Sequence, residues 1–344
     1  MPPTSCSQLW DDEPLWGTAP PTSFWLALEQ RGPWGALAWE QSRLDPDLGA
    51  RVHDAAEAAG GRALLVRPVG RGGVGPSGTA RRVFLAGGAQ TGTPWLLSGM
   101  VADPARLLDL PWAALAAGDA PAARRALPEL APCEDPVLLV CTNGKRDVCC
   151  ATHGRLVANQ AAAQRPEALW ECTHLSGHRY AATAVALPSG MVYGRLDGSL
   201  AVDAVDAAAS GQIAQRAIAS VEAASYHLRG LAHLPPMEQA ADAYARGLSG
   251  EARVDALSTR RQRPAEPEPG HAAGADGTAR CRVEVSFVAS RGSRSHLPGT
   301  ALGGSPQPVT FLEVTEHVHT DRPGSCGASP KPTATYAVRP VERR

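Results

Sequence analysis

The feature of this sequence that most constrains its fold is a predicted strand–helix–strand unit with cysteine and histidine residues after both strands. The apolar run 136-PVLLV-140 is typical of a buried strand, and Cys141 follows it directly. Residues 151–164 have helical spacing and high helix propensity, and 168–174 reads as a second strand that ends at His174. Because the carboxyl ends of neighbouring parallel strands are adjacent, groups from the two loops converge. The sequence therefore predicts an α/β unit with a ligand site at one edge of its sheet.

The residues at this edge are the only dense collection of soft metal ligands in the sequence. They are Cys141, Cys149, Cys150, His174 and His178. Two thiolates and two imidazoles suit a tetrahedral zinc ion, and they suit equally a [2Fe–2S] cluster in which imidazoles replace two thiolates on one iron. Eight residues separate Cys141 from Cys150, whereas the cysteines of a zinc site are usually separated by about two to four. Spacing alone leaves an iron–sulfur site, a zinc site and a site without metal all open.

Composition limits the partners and the compartment. The chain has 344 residues, with 33 Lys and Arg against 34 Asp and Glu, so we expect no binding to nucleic acid or to an anionic membrane. No apolar run reaches the length of about 18 residues expected of a membrane span. Residues 1–14 lack the basic and apolar regions of a signal peptide, and we therefore expect a cytoplasmic protein. In that reducing compartment, clustered cysteines favour metal binding or redox chemistry over structural disulfides.

Several segments of the predicted unit resemble the sucrase/ferredoxin-like family. The family pattern is approximately Cys-(Ser/Thr)-x-Gly-x-Arg-Asp-x-x-Cys followed by His-x-Gly-Gly-His, and the chain reads CTNGKRDVCC at 141–150 and HLSGH at 174–178. The upstream segments LWGTAP and GPWG also resemble the family, so the likeness covers most of residues 15–235. Ser176 departs from the pattern, since the family often has glycine there.

The resemblance implies a thioredoxin-like ferredoxin domain, and an electron carrier rather than an enzyme with its own substrate. In family members with an assigned cluster, two cysteines and two histidines hold a [2Fe–2S] centre. The matching positions here are Cys141, Cys150, His174 and His178, with Cys149 as the alternative to Cys150. Such a carrier implies an unidentified redox partner protein. No Ser-His-Asp order or pair of catalytic carboxylates supports the sucrase part of the family name, and no catalytic residue is assigned.

Two histidine ligands predict a particular redox behaviour. Imidazole is neutral where thiolate is negative, so this ligation raises the reduction potential above that of an all-cysteine cluster. An imidazole whose second nitrogen is free can also gain a proton when the iron is reduced, which favours proton-coupled one-electron transfer. Two other classes stay open: a zinc-stabilised binding module, and a thioredoxin-like thiol oxidoreductase that uses Cys149 or Cys150.

Composition and periodicity divide the chain into five parts. The two α/β parts each read as strand, helix and hairpin, so one interpretation of the first is a degenerate copy of the second. The polar stretch rich in Pro, Ala and Gly after the second part predicts a disordered linker. Cys6, Cys133, Cys281 and Cys326 are dispersed, and we predict ordinary roles for them. The parts are a flexible tail at 1–14, an N-terminal α/β domain without metal at 15–133, a thioredoxin-like ferredoxin domain with C-terminal helices at 134–258, a linker at 259–279 and a small antiparallel β-unit at 280–344.

Overall fold

A computed structural model describes residues 5–70, 80–218, 227–262, 279–288 and 309–342. These residues form a mixed α/β protein with a ten-stranded mixed sheet and a separate four-stranded antiparallel sheet. The arrangement confirms the predicted α/β fold class with a small C-terminal β-unit. None of the described helices has both the length and the apolar character needed to cross a bilayer.

The elements are numbered along the chain. The large sheet contains β1 (Trp25–Glu29), β2 (Arg62–Pro68), β3 (Arg81–Gly87), β4 (Trp95–Val101), β5 (Ala131–Pro132), β6 (Val137–Cys141), β7 (Leu169–Cys172), β8 (Ala184–Leu187), β9 (Met191–Tyr193) and β10 (Leu228–Leu231). The small sheet contains β11 (Leu257–Gln262), β12 (Arg280–Phe287), β13 (Val309–His319) and β14 (Thr333–Val341). The helices are α1 (Cys6–Leu9), α2 (Ala38–Gln41), α3 (Pro46–Ala58), α4 (Trp112–Ala116), α5 (Ala120–Ala126), α6 (Arg155–Ala162), α7 (Gly198–Ala208) and α8 (Pro236–Ser249).

The two halves of the large sheet have the same topology. The strand order is β2-β1-β3-β4-β5 in the N-terminal half and β7-β6-β8-β9-β10 in the C-terminal half. Each half has one parallel pair, β1 with β2 or β6 with β7, and its other pairs are antiparallel. Strands β2 and β7 join the halves in an antiparallel register that pairs Val66 with Cys172. This shared topology supports the interpretation of the N-terminal half as a copy of the C-terminal one.

Strand β6 carries the first candidate ligand. All five of its residues are buried, because both faces of the sheet are covered, and the sequence of the strand is therefore continuously apolar rather than alternating. Leu138 and Val140 pack with residues of α6 and α7, whereas Leu139 and Cys141 pack in a core on the other face. Cys141 thus ends the strand inside a core that Cys150 also joins.

The small sheet packs against α8. Its order is β11-β12-β13-β14, with every pair antiparallel. Val283, Val285, Leu312 and Val314 are buried with apolar residues of α8, while the residues between them are more exposed. The period-two alternation in the sequence arises because only one face of this sheet is covered.

The described part of the predicted flexible tail, residues 5–14, differs from that prediction. It contains helix α1, which Ser5 caps, and a fully buried Trp10. The indole of Trp10 donates to the carbonyl of Pro323 at 2.9 Å, and the guanidinium of Arg322 lies 4.6 Å from its ring. Pro323 is 313 positions away along the chain. The polar local sequence of residues 5–14 therefore gives no indication that Trp10 is buried.

Two further predictions, a linker at 259–279 and a helix that ends at residue 230, concern residues next to segments that the structure does not describe. Most of the predicted linker lies outside them, since the description omits 263–278, and residues 259–262 belong to β11. The sequence of residues 199–230 has helical spacing with an interruption near Gly211, but residues 228–231 form β10 and pair with β9. Tertiary pairing at the sheet edge overrides the local helix propensity there.

Candidate metal centre

Three of the four predicted ligands converge at the carboxyl end of β6. The Sγ atoms of Cys141 and Cys150 and a ring nitrogen of His174 all lie within 4.8 Å of one another. Both thiols are buried, at 1% exposure each, and His174 is half-buried. Two thiols and an imidazole at this separation form a group that can bind a metal ion.

A close contact between a helical turn and β6 brings the two cysteines together. Cys141 ends β6, and Cys150 begins the π turn Cys150–Gly154 that precedes α6. A Cβ added at Gly154 would come within 2.0 Å of the Cys141 carbonyl oxygen. Because Gly154 has no side chain, the turn can pack closely against the strand. This packing places Cys150 next to Cys141.

His178 lies beside this group rather than within it. Its ring centroid is 5.1 Å from that of His174, and its Nε2 atom is 3.6 Å from Oδ2 of Asp147. The Nδ1 atoms of both histidines are buried and have no hydrogen-bond partner among the described residues. An unpaired buried polar group costs about 1–3 kcal/mol, and metal ligation through Nδ1 would remove that cost at both rings. The donor atoms present therefore fit a metal centre.

Burial and hydrogen bonds shift the pKa values of these groups. A hydrogen bond with Cys150 lowers the pKa of the Cys141 thiol well below its usual value, and His174 lowers it further although burial opposes both. The same hydrogen bond, together with burial, raises the pKa of Cys150. Cys141 therefore loses its proton more readily than Cys150 does. Burial lowers the pKa of His178 to about 4, so its imidazole is neutral at pH 7, which is the form that binds metals.

A buried arginine holds the HLSGH loop. Arg229, at 1% exposure, donates to the carbonyl of Ser176 and to the hydroxyl of Thr18, both at 3.1 Å. Ser176 and Gly177 have φ of 59° and 63°, a region that costs a residue with a side chain about 1–2 kcal/mol. A Cβ added at Gly177 would lie 2.5 Å from Nη2 of Arg229. The side chain of Arg229 therefore packs closely against Gly177, and its hydrogen bond to Ser176 holds the backbone between His174 and His178.

We expect Gly177→Ala to lower both the metal content and the stability of the protein. The methyl group meets Arg229 and displaces the loop, at a cost of about 1–3 kcal/mol beyond the backbone strain itself. Gly211→Ala is the matched control, because Gly211 has φ of 65° and no atom of the described residues lies within 4 Å of its added Cβ. Metal per chain and the midpoint of urea denaturation measure the difference. Equal losses in the two variants would show that Arg229 does not position the loop.

The third cysteine of the segment, Cys149, belongs to a different group. Its Sγ atom lies within 4.8 Å of the Sγ atoms of Cys6 and Cys326 and of a carboxylate oxygen of Asp147, and these also lie within that distance of one another. The structure thus brings together Cys6 and Cys326, which are dispersed in the sequence. These residues are 143 and 177 positions from Cys149, so no local pattern in the sequence marks the contact.

The surface near the candidate centre contains a small cleft. It has a volume of about 170 Å³, and its lining includes Arg62, Asn143, Arg146 and His174. A larger cavity of about 900 Å³ lies elsewhere, and its lining contains none of the candidate ligands. The larger of these two cavities is therefore not at the candidate centre. The candidate centre is identified by the convergence of its donor atoms.

The fold and this centre define a mixed α/β protein with a Cys/His group compatible with metal binding. A family model described as sucrase/ferredoxin-like matches residues 77–218. The matched segment contains all the candidate ligands of this centre and supports the family that the motifs resemble. Neither the curated proteins nor the solved structures include a match to the chain.

Proposed function

We propose that the chain is an electron-transfer protein that holds a [2Fe–2S] cluster on Cys141, Cys150, His174 and His178. One observation carries this proposal: two buried thiols lie beside two imidazoles whose buried Nδ1 atoms have no partner among the described residues. A cluster with this ligation supplies a one-electron centre at a higher potential than an all-cysteine cluster. The family match over residues 77–218 supports the same assignment.

The protein environment differs between the cysteine and histidine sides of the site. Cys141 and Cys150 belong to a buried apolar core with Leu175, so water has little access from that side. The rings of His174 and His178 are half-buried, and His174 lines the surface cleft. We infer that electrons enter and leave at the histidine side.

Exposed side chains of the loop between Cys141 and Cys150, here called the ligand loop, and of α6 suit a redox partner. Lys145, Arg146 and Arg155 are exposed, and so are Val148 and Leu156, at 55% and 58%. Basic residues steer an acidic protein toward the surface, and a few apolar contacts suffice for a short-lived complex. An acidic redox protein is therefore the partner that we propose for this surface.

The second nitrogen of each imidazole is the site that we propose for a proton. With Nδ1 as the ligand atom, Nε2 remains free, and in His178 it lies 3.6 Å from the Asp147 carboxylate. A carboxylate at that distance favours the protonated ring. Reduction of a cluster held by His178 would add a negative charge near this ring, which would favour uptake of a proton from solvent.

We expect the midpoint potential to fall as pH rises. Reduction binds a proton, so removal of protons from solution opposes reduction, with a limiting slope of about 59 mV per pH unit. Redox titrations at pH values from about 6 to 10 would measure this slope, because the range brackets free and ligand-shifted imidazole. His153→Ala is the control and should show the same slope, since His153 is exposed. A midpoint independent of pH would contradict the proton-coupled step.

Anaerobic purification tests the proposed function itself. We expect a brown protein with about two iron atoms per chain and visible absorption that dithionite bleaches. A colourless protein with zinc and no iron would contradict the proposal and favour a zinc-stabilised binding module. A protein without metal and with titratable thiols would favour a thiol oxidoreductase.

A further inference from the structure

Three cysteine thiols form a compact triangle next to the proposed cluster site. The Sγ atoms of Cys6 and Cys149 are 3.6 Å apart, those of Cys149 and Cys326 are 3.3 Å apart, and those of Cys326 and Cys6 are 3.5 Å apart. These separations exceed a disulfide bond of about 2.05 Å, and all three thiols are free. Two sulfurs on a tetrahedral zinc ion, with Zn–S bonds of about 2.3 Å, lie about 3.8 Å apart. The triangle is therefore within a few tenths of an ångström of one face of a zinc site.

Asp147 places a carboxylate beside the triangle. Its Oδ1 and Oδ2 atoms are 3.8 and 3.9 Å from Sγ of Cys6, and its side chain has no exposed surface. The backbone N–H groups of Cys149 and Cys326 each donate to the carboxylate at 2.9 Å, and the Ser325 hydroxyl donates at 2.8 Å. These hydrogen bonds hold Cys149 and Cys326 next to each other without the help of a metal.

The triangle joins three segments that are far apart in the sequence. Cys6 lies in α1, Cys149 lies in the loop that carries Cys150, and Cys326 lies between β13 and β14. Their convergence is thus a property of the tertiary structure rather than of a local turn. Cys6 and Cys149 are 1% and 2% exposed, so a metal bound there would be shielded from solvent.

We propose that Cys6, Cys149, Cys326 and Asp147 bind a structural zinc ion. Three thiolates and a carboxylate fill the four positions that zinc prefers, and a site closed by four protein ligands is typical of a structural role. Binding releases the thiol protons to solvent and leaves the oxidation state of every group unchanged. The ion would link α1 and the loop between β13 and β14 to the loop between Cys141 and Cys150. This site uses none of the four ligands proposed for the electron-transfer centre, and it lies next to that centre, since Oδ2 of Asp147 is 3.6 Å from Nε2 of His178.

Zinc analysis and X-ray absorption of the full-length protein test this proposal. We expect about one zinc ion per chain, surrounded by three sulfurs and one lighter atom. A protein without zinc, or zinc surrounded by two sulfurs and two nitrogens, would overturn it. The second result would place zinc at the Cys141 group and would therefore also count against the iron–sulfur cluster, whereas the first would leave that cluster unaffected.

A pair of variants separates the two centres. Cys326→Ser should reduce zinc by at least half and leave the iron content unchanged, because Cys326 is not a ligand of the proposed cluster. Retained iron also shows that this variant is folded. Cys133→Ser is the control, since Cys133 lies outside both groups and should keep both metals. Full zinc in Cys326→Ser would overturn the assignment.

Discussion

Cys150→Ser is expected to abolish the visible absorption of the anaerobically purified protein, whereas Cys149→Ser is expected to retain it. The two cysteines are adjacent in sequence but belong to different groups. The Sγ atom of Cys150 lies within 4.8 Å of Cys141 and His174, and that of Cys149 lies 3.3 Å from Cys326. A serine hydroxyl is a poor replacement for a thiolate on iron, so iron should fall from about two atoms per chain to background in Cys150→Ser.

The reciprocal variant supplies the control. Cys149→Ser should keep its iron and lose zinc, so the two substitutions have opposite effects on the two metals. Iron and zinc measured in the same samples, with the reduced-state EPR signal, distinguish the cases. Loss of iron in Cys149→Ser with retention in Cys150→Ser would transfer the ligand assignment to Cys149.

His178→Cys is expected to lower the midpoint potential by on the order of 100 mV, because a negative thiolate replaces a neutral imidazole. It should also weaken the pH dependence of the midpoint, since one of the two free ring nitrogens is lost. Redox titration followed by visible absorption measures both effects. His153→Cys introduces a thiol at an exposed position, and its midpoint should match that of the unmodified protein.

His174→Cys provides a second test of the histidine ligands. His174 lies within 4.8 Å of both cysteine ligands, so its replacement should lower the potential in the same direction. An unchanged midpoint in an iron-loaded His178→Cys or His174→Cys variant would show that the ring is not a ligand.

The local parts of the fold and of the site could be predicted from the sequence. The continuous apolar run before Cys141 indicates a strand buried on both faces, and residues 155–162 form the expected helix. His174 follows the next strand, and the parallel pairing of β6 and β7 brings it to Cys141. Two neighbouring strands and the helix between them determine this geometry. Residues 137–174 therefore contain most of the information needed to predict that Cys141 and His174 are close.

Contacts between distant segments could not be predicted in the same way. Trp10 is buried by residues near Pro323, and Cys6 meets Cys149 and Cys326, although nothing in the neighbouring sequence indicates these partners. The shared topology of the two halves of the large sheet was suggested only by the order of strand, helix and hairpin. Two stretches with different side chains can form the same strand order, because backbone hydrogen bonds do not depend on side-chain identity.

Pulsed EPR of the dithionite-reduced protein tests the central claim most directly, because it detects the nitrogen nuclei bonded to a paramagnetic cluster. We expect the signal of a one-electron-reduced [2Fe–2S] cluster with couplings to two histidine nitrogens. Replacement of His174 or His178 by cysteine should remove one of these couplings. A reduced cluster without nitrogen coupling, or a protein without an iron signal, would contradict the assignment of Cys141, Cys150, His174 and His178 as its ligands.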